Sequence, residues 1–536
     1  MLKLNPSATY RPVVAGRRYM ASTGHPLATA SAVRILEAGG NAIDAGVAGG
    51  LCLNVVQPEY TNLGGVAPII LSRADDGQVR TISGLGCWPA NIPADHFMTK
   101  YNGDMPIGVE RSVIPAAADA WLTALKAFGT MTLAEVAAPA IALAEEGFPT
   151  YLVLQRNLAK FAPQMAAFPA NASIFLRDGE APAINESIVQ PDLARTLRLL
   201  VETEAEHHHL GREAAIQAAR DRFYKGDIAE RIARFVADRG GFMTREDLAA
   251  FSVEIETPVS AHYRGYDVYA CRPWCQGPVV PEALNILSGY DLGSLPHNSV
   301  DALHLIASAL DAAFADREHF YGDPRFVDVP VDGLLDPGYA ETWRERIDLD
   351  HAFRAMPEPG DPWRFEGRER PERSFDALAA NREAAFKADT SYLCVVDAEG
   401  NAFSATPSDG VGSAEVIPGL GFIVSDRGVQ SRPYPGHPSS IAPGKRPRLT
   451  PSPGLVMREG KAIAPFGTPG GDVQPQAMVQ FLINLIDYGM EPQAAIEAPR
   501  VASFNYPESF HPFPYRPGLL LVEGRIDDTV VDELRR

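Results

Sequence analysis

The chain has 536 residues, 46% of them hydrophobic and 21% charged, and a net charge of −19. That length supplies two to four domain-sized units or one large layered domain with a sizeable core. The acidic balance argues against a nucleic-acid partner, which needs clustered Lys and Arg, and no apolar run approaches the roughly 18 residues of a membrane span. The first twenty residues lack the apolar stretch of a secretory signal. Five scattered cysteines, Cys52, Cys87, Cys271, Cys275 and Cys394, do not make a disulfide framework. A cytoplasmic location is the expectation.

Residues 26–38 read as a helix stopped by Gly39-Gly40, with Asn41 placed to cap the next one. A strand follows at 67–73, then a helix over 131–148 with Gly147 as its stop signal. Residues 257–272 read as strand with turn chemistry at Arg264-Gly265. The stretch 355–387 is polar, charged and rich in proline, and is expected to be exposed and mobile. Short strands are predicted at 390–397, 402–407 and 421–426, and a helix over 475–489. Helices mixed with antiparallel strands suggest α+β layers.

The pattern around Asp389-Thr390 carries the chemistry. Thr390 precedes the apolar run Tyr392 to Val396, with Glu399-Gly400-Asn401 as the turn beyond it. If the bond before Thr390 is cut, its hydroxyl becomes a nucleophile with its own α-amine as base. A free α-amine has a pKa near ~8 and is readily deprotonated near neutral pH. Read alone, the dipeptide is equally a turn entering a strand. His207-His208-His209 reads as a solvated helix end rather than a metal site, Cys271 to Cys275 as a loop, and Cys394 as a strand-core thiol.

The segment Asp389 to Thr406, DTSYLCVVDAEGNAFSAT, resembles the start of the small subunit of the gamma-glutamyltransferase family, whose members self-cleave to expose a Thr. Similar blocks keep family order along the chain: LEAGGNAIDAGVA (36–48), NLGGVAP (62–68), FYKGDIAERI (223–232), GGFMTREDLAAF (240–251), YRGYDVY (263–269), ADREHFYGDPRFVDVP (315–330), GKRPRLTPSPGLV (444–456), GTPGGD (467–472) and IDYGMEPQAAIEAPR (486–500). The resemblance implies the four-layer αββα sandwich of N-terminal nucleophile hydrolases. It implies a large subunit, 1–389, and a small one, 390–536, sharing one core. A homodimer of that cleaved pair is left open. Members continue past the equivalent of Arg536 with a strand-rich stretch, so the expectation is either a trimmed sequence or a missing terminal strand.

By resemblance, Thr390 is the nucleophile, Ser408 its supporting hydroxyl, and Gly470 and Gly471 supply the oxyanion site. Two backbone N–H groups aimed at one point stabilise a tetrahedral intermediate, and glycine permits the backbone shape. The family's amino-acid head-group contacts are largely replaced. Leu85 falls where an Arg holds the substrate carboxylate, Gln430 where an acidic residue grips the amine, Leu449 and Thr450 where paired serines stand, and Gly410 where an Asn stands. Leu does not replace a bidentate Arg. Asp409, Arg427 and Arg448 either orient a different polar substrate or sit at the surface.

These departures resemble the acylase and amidohydrolase branch, which includes cephalosporin acylases and oxamate amidohydrolase. The expected activity is hydrolysis, or less often transfer, of a small-molecule acyl amide through an acyl-enzyme on Thr390, with no metal or organic cofactor. Two alternatives stand: a true gamma-glutamyltransferase acting on glutathione, and an uncleaved binding protein. Ser391-Tyr392, in place of the family's usual Thr-His, gives the second some footing.

Overall fold

The computed structural model describes residues 9–372, 375, 390–412 and 414–536. The strands of its two larger sheets are β1 (Met20–Thr23), β2 (Ile69–Ser72), β3 (Val79–Ile82), β4 (Ile255–Glu256), β5 (Val259–Tyr263), β6 (Tyr266–Ala270), β7 (Leu393–Val396), β8 (Ala402–Ala405), β9 (Gly454–Arg458) and β10 (Lys461–Phe466). The first sheet runs β1-β7-β8-β2-β3-β4 and the second β10-β9-β6-β5, with antiparallel neighbours. Strands from after residue 390 thus sit inside both sheets. β7 lies between β1 and β8, so chain on either side of Thr390 shares one core.

Alternating side chains decide the layers. Ile70 and Ala402 of the first sheet meet Leu455 and Met457 of the second between the sheets. The opposite face of the first sheet, with Leu393, Val395 and Phe403, packs on α1 (Pro26–Glu37), α2 (Ala42–Val56), α3 (Leu133–Glu146) and α4 (Pro191–Glu206). The far face of the second, with Tyr263, Val268 and Val456, packs on α5 (Val279–Leu287), α6 (Val300–Phe320) and α7 (Val473–Ile486). The result is an α+β, four-layer αββα sandwich.

The helix α2 is buried along its whole length. Its small residues make this feasible: a Cβ at Gly46 would stand 2.3 Å from the Phe403 ring. Asn41 caps it in a reciprocal capping box with Asp44. The β5–β6 hairpin turns at Arg264 and Gly265, with φ of 51° and 86°, the left-handed pair that a two-residue turn requires.

Two expectations differ from the structure. Residues 421–426 form no ladder; Ile423 and Ser425 make isolated bridges to Val416 and Val113. The Ile423 N–H is taken by the Asn62 side chain at 2.9 Å, so tertiary contacts use the backbone groups that a strand needs. The stretch read as exposed is anchored over its first part: Trp363 is 1% exposed and stands edge-on to Phe320, centroids 4.9 Å apart. One large aromatic overrides the polar composition around it. The remainder of that stretch up to Asp389, apart from Phe375, lies outside the described residues from 373 onward.

Asp397 joins the first sheet to the helix layer. It accepts the Ala42 N–H at 2.8 Å and the Asn401 side-chain amide at 2.7 Å, while its other oxygen accepts the Asn401 N–H at 2.9 Å. Hydrogen bonds to a charged group contribute ~1.5–3 kcal/mol each. Asp397→Ala is expected to lower stability by about 3 kcal/mol in urea unfolding.

Candidate active site

The register of β7 and β8 continues past their ends. Ala402 pairs Val396 and Ser404 pairs Cys394, and the Ser391 N–H donates to the Pro407 carbonyl at 2.9 Å. One further step sets Thr390 opposite Ser408, with their hydroxyl oxygens 3.0 Å apart. On its other side Ser408 bridges Val66. Ser391 is tied to the helix layer through the Gln57 amide oxygen at 2.6 Å. Behind Thr390, the Tyr392 hydroxyl meets Ser404 at 2.9 Å.

The chain turns sharply after Ser408. Asp409 has a left-handed φ of 87°, and a Cβ at Gly65 would lie 2.3 Å from the Ser408 carbonyl. The glycine of the NLGG segment therefore allows this turn to close on it. Gly410 is equally constrained, since a Cβ there would stand 2.0 Å from the Glu59 carbonyl. The turn brings Asp409 to Arg427, and the ion pair measures 2.5 Å with both side chains fully buried. Ser425 donates to the second Asp409 oxygen at 2.6 Å. Arg427 also donates to the Ser408 hydroxyl. Asp409, Arg427, Ser408 and Thr390 thus form one line of contacts.

The second part of the site lies where segments 274–277 and 449–450 pair beyond the second sheet. Cys275 bridges Leu449, and the Gln276 N–H donates to the Leu449 carbonyl at 3.0 Å. Gln430, in the same 3₁₀ turn as Arg427, donates to the Thr450 hydroxyl at 2.9 Å. The Gln276 amide reaches the Thr450 carbonyl at 3.0 Å and the Gly471 carbonyl at 2.8 Å. Gly470 and Gly471 have φ of 127° and 58°, and their loop leads into α7.

A buried charge cluster anchors that loop. Asp472 accepts from Arg317 at 2.5 Å and from the Ser509 hydroxyl at 2.6 Å. Arg317 adjoins Glu318, whose carboxylate also takes Arg432, Arg448 at 2.6 Å and His437 at 3.0 Å. Burial alone would raise the Glu318 carboxyl, but Arg432 and Arg448 hold it well below the usual range. Burial pushes His437 down to about 3. Its ring is therefore neutral, with Nδ1 accepting the Ser439 N–H at 2.9 Å and Nε2–H donating to Glu318. Arg448 sits in this network at 1% exposure, its guanidinium committed to Glu318 and the Arg317 carbonyl. The expected choice between substrate contact and surface is corrected: it is a buried anchor.

The two leucines at the expected head-group positions lie in one core patch. Leu85 and Leu449 form an apolar cluster with Val66, Cys271, Trp274 and Cys275, directly beside the strand carrying Ser408. The Cys271 to Cys275 segment is thus part of a buried core patch. The His207 and His208 rings bond the helix-end carbonyls of Thr203 and Ala205 at 2.8 Å each. No group of metal-ligating residues occurs among the described residues.

The profile of the gamma-glutamyltranspeptidase family matches residues 28–536. The chain belongs to this family. It is 34% identical to a glutathione hydrolase-like proenzyme of Bacillus subtilis, over 97% of this chain and 91% of that one. It is 35% identical to an acylase proenzyme of a Pseudomonas species, over 91% and 82%. The cephalosporin acylase structure from Bacillus halodurans superposes with a TM-score of 0.82 at 30% identity, covering 99% of this chain and 91% of that one. The family chemistry is that of self-processing hydrolases and acyltransferases, so this chain is an enzyme of that class.

Of the residues singled out from sequence, Thr390, Ser408, Asp409 and Arg427 come together, and Gln430 and Thr450 form a second contact joined to Gly471 by Gln276. Gln57, Ser425, Gln276 and Glu318 were not singled out. Glu318 lies in the quoted block 315–330, but nothing local marks its role; the others carry no sequence signal. The Asp409–Arg427 pair gives a test. Removing one partner of a buried pair strands the other and costs about 3–5 kcal/mol, whereas an apolar replacement of both costs far less. Asp409→Ala is expected to be the more damaging change, and adding Arg427→Met to recover much of the loss in urea unfolding.

Proposed function

We propose that Thr390 is the nucleophile of a self-cleaving amidohydrolase that acts on a small acyl amide other than a γ-glutamyl compound. The contact that carries this reading is the 3.0 Å pair between the Thr390 and Ser408 hydroxyls, backed by Arg427. Arg427 donates to Ser408 Oγ, and the Ser408 and Thr390 hydroxyls share one hydrogen bond in which either can be the donor.

In processing, Oγ1 of Thr390 adds to the Asp389 carbonyl carbon, its proton passes to the Thr390 nitrogen, and the C–N bond breaks. The products are an ester and a free α-amine, and water then releases the Asp389 carboxylate. In turnover, the amine takes the Oγ1 proton as Oγ1 attacks the substrate amide carbon. The proton passes to the departing amine. Water then hydrolyses the Thr390 ester, and a competing amine gives transfer instead. Gly470 and Gly471 N–H groups stabilise the oxyanion, worth roughly 3–4 kcal/mol per donor. Self-cleavage leaves a large chain, 1–389, and a small chain, 390–536, held by the shared sheets.

The apolar cluster that holds Leu85 and Leu449 supports a substrate without an amino-acid head group. The name of the Bacillus subtilis relative favours the competing reading, glutathione hydrolysis. Free thiols at all five cysteines support action in a reducing compartment such as the cytoplasm.

Intact-mass spectrometry of the wild type should give two fragments divided before Thr390, and Thr390→Ala a single chain without turnover. A single chain in both would sink the proposal. Ser408→Ala is expected to slow cleavage and lower kcat by about ten- to a hundredfold, with KM little changed. Robust wild-type turnover of glutathione would instead establish the competing substrate.

A further inference from the structure

Two glutamine side chains meet at Thr450, and a third glutamine, Gln474, opens α7 three residues after Gly471. Gln430 bonds the Thr450 hydroxyl, Gln276 bonds the carbonyls of both residues, and the Gln474 N–H donates to the Gly471 carbonyl at 3.2 Å. All three side chains are at most 1% exposed. Yet Gln276 Oε1, Gln430 Oε1 and both polar atoms of the Gln474 amide have no hydrogen-bond partner among the described residues, and the same holds for the nearby Ser452 hydroxyl. Native interiors rarely leave such groups unsatisfied, and a cluster of them needs an explanation.

Gln474 is the most telling. It lies one turn before Met478 and two before Leu482 on α7, both buried core residues, where an apolar residue would continue the stripe. It follows the Gly470-Gly471 loop directly, and its amide makes no side-chain hydrogen bond among the described residues. On the other side of Thr450 is Leu449, within the Leu85 cluster. The side chains nearest Thr450 are thus apolar or neutral amides, the adjoining Arg427 and Arg448 being committed to Asp409 and Glu318. Burying an ammonium or a carboxylate against neutral amides is costly, whereas an uncharged hydrogen-bonding group satisfies them.

We propose that Gln276, Gln430 and Gln474 are specificity-determining residues that select an acyl chain with an apolar body and an uncharged hydrogen-bonding end, such as a carboxamide or hydroxyl. This rests on the Thr390 reading above and names its substrate class. A site built to hydrogen-bond a substrate group discriminates strongly against the analogue lacking it.

The test compares anilides of equal acyl length ending in carboxamide, ending in methyl, or bearing the γ-glutamyl ammonium and carboxylate. The wild type should favour the carboxamide by kcat/KM. Gln474→Met should cut its preference over methyl by about tenfold or more, and should raise the thermal midpoint, because it removes a buried unsatisfied amide. A wild-type preference for the γ-glutamyl or methyl chain would overturn the inference. So would a Gln474→Met variant that is less stable and keeps the wild-type preference. Absence of any turnover would instead count against Thr390 as nucleophile. Calorimetric binding of the three free acids then decides the selectivity by itself, with tighter binding of the carboxamide acid expected and equal or weaker binding fatal to it.

Discussion

The antiparallel register between β7 and β8 is the constraint from which the site follows. Because side chains alternate with period two, a slip of one residue would turn Thr390 to the opposite face. The register is held by apolar demand on both faces: Leu393, Val395 and Phe403 face the helices, while Ala402 faces the second sheet. Asp397 and the turn after it close the hairpin. Once those residues are placed, Thr390 and Ser408 meet as a cross-strand pair with no separate device to bring them together.

Electrostatics then organises what the register positions. Two buried charge systems flank the site. The Asp409–Arg427 pair acts on the Ser408 hydroxyl, and the Glu318 cluster reaches the Gly470-Gly471 loop through Arg317 and Asp472. Buried ion pairs contribute little net stability once desolvation is counted, but they are unforgiving about geometry. Such contacts suit a site whose groups must be held in place before substrate arrives. The cation faces of Arg317 and Arg432 lie against Phe314 and Phe513 at 4.6 Å and 3.8 Å, which offsets part of the desolvation.

The residues at the expected head-group positions are linked in space. Leu85 and Leu449 are far apart in sequence and fill one cluster together, while Gln430 and Thr450 bond each other.

The residues alone determined the layered α+β class, the helix caps at Asn41 and Gly147, the Arg264-Gly265 turn, and the family to which the ordered blocks point. These signals are local or depend on order along the chain, so one dimension contains them. Sequence also singled out Thr390, Ser408, Gly470 and Gly471, through family resemblance rather than through their own chemistry. Only the tertiary structure decided that Arg427 faces Ser408, that Arg448 is an anchor in the Glu318 cluster, that Leu85 and Leu449 share a core patch, and that the Gln474 amide is buried without a hydrogen-bond partner among the described residues. It also decided that residues 421–426 form bridges and that Trp363 pins an otherwise polar stretch. Those outcomes depend on contacts between segments up to hundreds of residues apart, where burial and charge pairing override local propensity.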